Sequence, residues 1–289
     1  MNFYEKLQSG KFIITAEVGP PKGIETGRIL EEAALVRGRM DAISVTDQQG
    51  SVMRLGALAV CILLRQNGFE PICQLTCRDR NRLALQSDLL SVAVFGIENL
   101  LILTGDHPVL GDHPEAKPVF DLDSTQLMQV AADLQKGMDM KGHRLAGKAP
   151  CFCAGGVVNP GAEPLEPEII KMEKKIKAGA KFFITQAVYD ARTFEKFLRR
   201  VKGFGIPVMA GIVMLKSSAM ACYMNENIPG VCVPEFIIKE MEGAGDPLGQ
   251  SVEITGRLIR QFKQMCRGVH IMPIGWNRFL PRVLDAGGL

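Results

Sequence analysis

No Cys-x-x-Cys pair occurs in the 289 residues, although the chain has eight cysteines. Cys73 and Cys77 stand four apart and Cys151 and Cys153 two apart, while Cys61, Cys222, Cys232 and Cys266 are scattered. The four histidines, His107, His113, His143 and His270, complete no zinc-finger spacing. These absences argue against a metal module or an iron–sulfur cluster of the chain's own, and for buried free thiols in a reducing compartment. No uninterrupted apolar run reaches the length of a membrane span. No block of Lys and Arg dominates, and the net charge is only +3. Neither membrane insertion nor nucleic-acid binding is therefore expected. Residues 1–10, "MNFYEKLQSG", lack the apolar centre of a secretory signal, so the expected location is cytoplasmic. A Gly-x-Gly-x-x-Gly loop is also missing, which disfavours a doubly wound nucleotide-binding sheet.

What the chain does have is a composition suited to a compact fold, 47% hydrophobic and 22% charged. Short apolar runs recur at 12–18, 41–46, 70–76, 99–104, 150–154, 181–186, 206–212 and 269–274. Amphipathic stretches such as 25–39, 51–67, 79–95 and 124–140 lie between them, with further helices expected near 216–226, 234–242 and 246–267. Glycines at 68, 96, 179 and 203 mark helix-to-strand junctions. Eight strand–helix units with nearly continuous apolar strands predict a (β/α)8 TIM barrel, one domain over residues 1–289.

In such a barrel, chemistry gathers where the strands end. Those ends read Glu17, then Thr46-Asp47-Gln48-Gln49, Gln74 and Thr76, Thr104-Gly105-Asp106, Gly155-Gly156 with Asn159, and Thr185-Gln186. A single polar residue there is a cap; a whole polar rim suits a polar ligand. Glu17 in "FIITAEVGPP" stands out, because a carboxylate at the inner end of an apolar strand needs a partner or a reaction. Asp106 in "LTGDHP" reads equally as an Asx-turn residue or as a ligand contact, with Gly105 permitting close backbone approach. Gln186 reads as a bond within the barrel or to a ligand. The repeated Asp-His-Pro around His107 and His113 reads as surface turns rather than a metal site. In "EIIKMEKKIKAGA", positions 168, 171 and 175 share one helix face, a solvated face or a phosphate contact.

Together these motifs resemble the methylenetetrahydrofolate reductase family, flavin-dependent (β/α)8 barrels that make 5-methyltetrahydrofolate. The similarity runs over almost the whole chain. Glu17 in "AEVGPP" is similar to the acid of the family's first-strand motif, and Thr46 in "SVTDQQG" to the threonine after its second strand. "QLTCRD" at 74–79 resembles the His-Leu-Thr-Cys signature, and "LTGDHP" at 103–108 resembles Leu-Arg-Gly-Asp. "ITQAVYD" at 184–190 is similar to the Thr-Gln motif whose glutamine, here Gln186, binds the pterin. The resemblance implies cofactor contacts at Gln74, Leu103, Thr104, Gly105, Asp106, Asp121, Ala154, Gly155, Asn159, Glu168, Lys171, Lys174 and Lys175. It implies substrate contacts at Gln186, Thr46 and Met224, with Glu17 and Asp106 catalytic. The cofactor it implies is a flavin, FMN or FAD, and the substrate methylenetetrahydrofolate.

The stretch "GDHPEAKPVFDLDSTQL" resembles the short reductases of acetogenic, Wood–Ljungdahl-type bacteria. That implies a second, metal-binding subunit and an electron-transfer partner, and leaves an oligomer open. Met220 and Met224 in "GIVMLKSSAM ACYM" stand where the family has a stacking glutamine and phenylalanine, which points to electrons arriving through a partner. The expected reaction is acid-assisted opening of the folate ring to a 5-iminium cation, followed by hydride from flavin N5. Glu17 in a partly apolar mouth would hold the proton. Asp106 would stabilise the cation, and Gln186 and Thr46 would orient the pterin. Two other readings stand beside it: a flavin-free, pterin-binding methyltransferase barrel, and a non-catalytic subunit of an electron-transfer complex.

Overall fold

The computed structural model describes residues 1–289. Its first half runs α1 (Phe3–Gln8), β1 (Ile13–Val18), α2 (Gly27–Ala34), β2 (Ala42–Val45), α3 (Ala57–Gln66), β3 (Pro71–Thr76), α4 (Arg82–Val94), β4 (Asn99–Leu103) and α5 (Ser124–Gln135). The second half runs β5 (Cys153–Val158), α6 (Glu166–Lys177), β6 (Phe182–Ala187), α7 (Ala191–Val201) and β7 (Val208–Val213). It ends with α8 (Ser218–Asn227), α9 (Glu235–Glu242), α10 (Pro247–Phe262), β8 (Gly268–Met272) and α11 (Leu280–Gly287). The eight strands close into one parallel barrel in sequence order. Closure pairs β1 with β8, setting Ile13 beside Gly268 and Thr15 beside His270. The expected (β/α)8 fold is the observed one. No helix is long and apolar enough to cross a membrane.

Two apolar layers follow from strand alternation. Outward-facing strand residues pack under the helices in the main core. Inward-facing Ile13, Ala42, Ile72, Leu101, Cys153, Phe182, Ile184 and Met209 fill the barrel itself. The N-terminal helix α1 was not expected from the periodicity. It plugs the barrel floor with Phe3 and Leu7, and Phe3 meets the Phe182 ring edge-on at 5.5 Å. A capping box between Asn2 and Glu5 starts this helix.

One strand lies later than its apolar run. The expected 150–154 run gives way to β5 over Cys153–Val158, so Gly155 and Gly156 are strand residues, not the loop after it. Their glycines make room. A Cβ on Gly155 would sit 2.3 Å from the Phe182 ring, and one on Gly156 would meet Phe183 at 3.0 Å and Lys175 at 3.1 Å. Both are sites of close packing within the strand.

Candidate active site

A cavity of about 640 Å³ opens at the C-terminal ends of the strands, and polar side chains dominate its wall. Its size is ordinary for a small-molecule site. Glu17, Asp106 and Gln186, from β1, the loop after β4 and β6, all line it. Glu17 is held by several donors. Gln74 Nε2 donates to Glu17 Oε1 at 2.9 Å and to Ser44 Oγ at 3.0 Å. Gln49 Nε2 donates to Glu17 Oε2 at 3.4 Å, and Asn277 Nδ2 fixes the Glu17 main-chain carbonyl at 2.7 Å. The Glu17 side chain is 13% exposed, so its carboxyl is enclosed yet open to the cavity.

His270 completes this corner. It is 1% exposed, its Nδ1 lies 2.8 Å from Thr15 Oγ1, and its Nε2 lies 3.5 Å from Glu17 Oε1. At that distance Nε2 makes no hydrogen bond, an unsatisfied polar atom of the kind a buried site seldom keeps without a use. Sequence reasoning missed this residue. His270 sits inside the apolar run "GVHIMP" and reads as a core position; only the β1–β8 pairing brings it beside Glu17.

Gln186 reaches the cavity through an irregularity in β6. Pairing with β7 slips between Ile184 and Ala187, and Thr185 Oγ1 takes over the Gly211 N–H at 2.9 Å. The slip is a bulge, which re-aims the side chain next to it into the mouth. Across the cavity, α6 presents Glu168, Lys171 and Lys175 on one face, while Lys174 points to solvent. Lys171 pairs with Glu168 at 3.0 Å. Lys175 has no carboxylate partner; its Nζ donates to Val157 O at 3.0 Å, and burial pushes its pKa down. A partly desolvated ammonium pointed into a cavity is a natural contact for an anionic group.

Ten of the residues named from the sequence line the cavity: Glu17, Gln74, Leu103, Thr104, Gly105, Asp106, Glu168, Lys171, Lys175 and Gln186. The others do not. Thr46 is buried with its hydroxyl unpartnered, near Gly19. Met224 lies in the core, where Tyr189 Oη approaches its sulfur at 3.9 Å. Asp121 pairs with Arg82, which holds its pKa down at about 2. Ala154 is core, and Gly155 faces the Phe182 ring. Asn159 donates to Pro229 O at 2.8 Å. Arg78, never singled out in the sequence, does line the cavity and is only 2% exposed.

The ends of an eight-stranded α/β barrel thus enclose an acid, a buried histidine and several amides, the layout of a small-molecule enzyme site. The model of the methylenetetrahydrofolate reductase family matches residues 2–287, and the chain belongs to that family. Methylenetetrahydrofolate reductase 2 of Schizosaccharomyces pombe is 23% identical over 322 residues, covering 100% of this chain and 47% of its own length. The 5,10-methylenetetrahydrofolate reductase of Salmonella typhimurium is 26% identical over 180 residues, covering 62% of this chain and 55% of its own. This chain spans about half the length of these two relatives. A solved structure of an uncharacterized Clostridium thermocellum protein that binds two copies of 5-methyl-5,6,7,8-tetrahydrofolic acid superposes with TM-score 0.64 at 17% identity. It covers 98% of this chain and 97% of its own, a likeness of fold.

Proposed function

We propose that this chain reduces 5,10-methylenetetrahydrofolate to 5-methyltetrahydrofolate with the help of a bound flavin. One observation carries the reading: Glu17 shares a single cavity with Asp106 and Gln186, and a buried histidine with a free ring nitrogen stands behind it. The substrate's five-membered ring opens when N10 takes a proton, which leaves a cationic 5-iminium. Glu17 is the donor in reach of the cavity, and His270 Nε2 is placed to return a proton to it. The Asp106 carboxylate supports the positive charge of the iminium. Gln186, re-aimed by its bulge, orients the pterin.

The residues present fit a flavin. Leu101, Ile102, Leu103 and Met272 offer apolar wall to ring faces, while Gln48, Thr76 and Thr104 offer polar groups to ring edges. Lys175 is a cation free for a phosphate. When bound, a flavin supplies the hydride that the iminium carbon accepts. The reading extends to FMN or FAD as cofactor, to the cytoplasm as location, and to a metal-binding subunit and electron-transfer partner. Support for the last is that α8, which carries Met220 and Met224, contributes nothing to the cavity wall, and no Phe, Tyr or Trp lines it. A nicotinamide ring stacked in this cavity would lack an aromatic platform.

The test begins with flavin absorbance in the purified protein. Reduced protein is then mixed with methylenetetrahydrofolate under nitrogen. Reoxidation with formation of 5-methyltetrahydrofolate supports the reading; a colourless protein that methylates a corrinoid acceptor instead would sink it.

A further inference from the structure

Two non-glycine residues with left-handed backbone lie within four positions of each other at the cavity lip. Gln48 has φ 49° and ψ 53°, and Ser51 has φ 59°; between them Gly50 has φ 65°. This conformation is sparsely populated for side chains with a Cβ, and it persists only where the surroundings hold it. Glycine at 48 and 51 would remove the cost. The chain instead keeps both side chains and supplies a buried guanidinium.

Arg78 is that guanidinium. Its Nη2 donates to Gln48 O at 3.3 Å and its Nη1 to Ser51 Oγ at 3.1 Å, while Asp79 neutralises it through Nε and Nη2 at 2.8–3.0 Å. The two acceptors flank Gln49, whose amide reaches Glu17. Ser51 Oγ passes the connection on, donating to Asp106 O at 3.0 Å and to His107 O at 3.3 Å. The backbones interlock as well. A Cβ on Gly111 would fall 1.9 Å from Ser51 O, and one on Gly105 would meet Arg78 Cβ at 3.1 Å. Val119 N donates to Arg78 O at 2.8 Å. One side chain on the loop after β3 thereby ties the loop after β2 to the loop after β4, and each of those loops carries a group of the site.

We propose that Arg78 is a positioning residue of this site: it holds Gln48 and Ser51 in their left-handed conformation and so fixes where Gln49 meets Glu17 and where Asp106 enters the cavity. Its catalytic consequence rests on the folate reading above; its conformational part does not. An arginine that only knots loops together would lower stability when changed. One that places Gln49 and Asp106 would slow the step in which bound folate reacts, because small misplacements of positioned groups are costly in rate.

The test has two readouts. The first is hydrogen exchange, in the chain without added ligand, at the amides of Ser51, Val52 and Met53. These donate to Gln48 O, Gln49 O and Asp112 Oδ1. In Arg78→Lys all three are expected to exchange faster while β3 amides keep their protection, and in Arg78→Ala added guanidinium is expected to slow them again. The second is reoxidation of the reduced enzyme by methylenetetrahydrofolate, expected to fall about 10²-fold in Arg78→Lys while reduction by dithionite is unchanged. Wild-type exchange at these amides in Arg78→Lys overturns the proposal. So does wild-type reoxidation despite faster exchange, or protection lost uniformly across the barrel in Arg78→Ala with Arg78→Lys unaffected. If the wild-type enzyme itself is not reoxidised by folate, the functional reading fails, and exchange still decides whether Arg78 is the clamp.

Discussion

His270 Nε2 faces Glu17 Oε1 at 3.5 Å with no hydrogen bond of its own, while Nδ1 is held at 2.8 Å by Thr15 Oγ1. The Thr15 hydroxyl also lies 3.3 Å from Val269 O. If that hydroxyl donates to Val269 O, then Nδ1 carries the ring proton and Nε2 offers a lone pair to a protonated Glu17. If it donates to Nδ1 instead, Nε2–H faces the Glu17 carboxylate. The first arrangement holds one proton more than the second: a proton taken up at Nδ1, with the Nε2 proton passed to Glu17, converts the second into the first, and this is how the ring would reload the acid. We expect His270→Gln to slow folate reduction by about 10²-fold, with folate affinity nearly unchanged. Single-turnover rates against equilibrium binding measure this split. A variant that loses affinity and keeps its rate would place His270 in binding and not in proton supply.

Glu17→Gln isolates the acid itself. Glutamine keeps an oxygen that can accept from Gln74 Nε2, so the packing of this corner survives, but it cannot deliver the proton. Flavin reduction should proceed at the wild-type rate and reoxidation by methylenetetrahydrofolate should drop by roughly 10²–10⁴-fold. The two half-reactions are followed separately by flavin absorbance. Normal turnover by this variant would remove Glu17 from the chemistry.

Lys175 sets function against stability. Burial lowers its pKa, so the folded chain binds fewer protons than the unfolded one between that lowered value and the ordinary 10.5. Stability therefore rises with pH through that window, and below it the buried charge is a cost. Lys175→Met should raise the melting temperature at neutral pH. The same change should weaken retention of a phosphate-bearing flavin by about 10–10²-fold, from the loss of a charge-assisted bond worth roughly 1.5–3 kcal/mol. An anion at this site favours the protonated amine, so wild-type affinity should fall as pH rises through the lowered pKa. Titrations of the apoprotein with FMN across alkaline pH check the sign. Affinity that rises with pH would show that Lys175 does not face the phosphate.

The strand ends were legible because burial leaves few reasons for a polar side chain there, and Glu17, Asp106 and Gln186 do share one cavity. The α6 spacing was legible too, since positions 168, 171 and 175 turn together while Lys174 faces solvent. Two features were out of reach for physical reasons. His270 meets Glu17 only through barrel closure, a pairing of segments separated by most of the chain. Arg78 sits in the charge-rich "CRDRNR", which reads as a solvated loop, and its burial depends on two other loops folding over it. Met224 shows the reverse case. The family resemblance implied a substrate contact there, but the α8 face that carries it packs on Tyr189.

Gly155 supplies a prediction about folding alone. Its missing Cβ leaves room for the Phe182 ring, whose nearest atoms would otherwise stand at 2.3, 2.4 and 2.7 Å. Phe182 cannot retreat, because it is fully buried and backed edge-on by Phe3 from the floor helix. Overpacking of this kind costs roughly 1–3 kcal/mol, so Gly155→Ala should lower the melting temperature by several degrees. The strain belongs to the pair and not to the glycine. Phe182→Leu leaves a smaller side chain against position 155, so adding Gly155→Ala to it should cost markedly less than adding it to the wild type. Thermal melts of the two single variants and the double variant measure that coupling. Additive losses would mean that the β5 glycine serves the backbone of its strand and that the Phe182 ring is free to move aside.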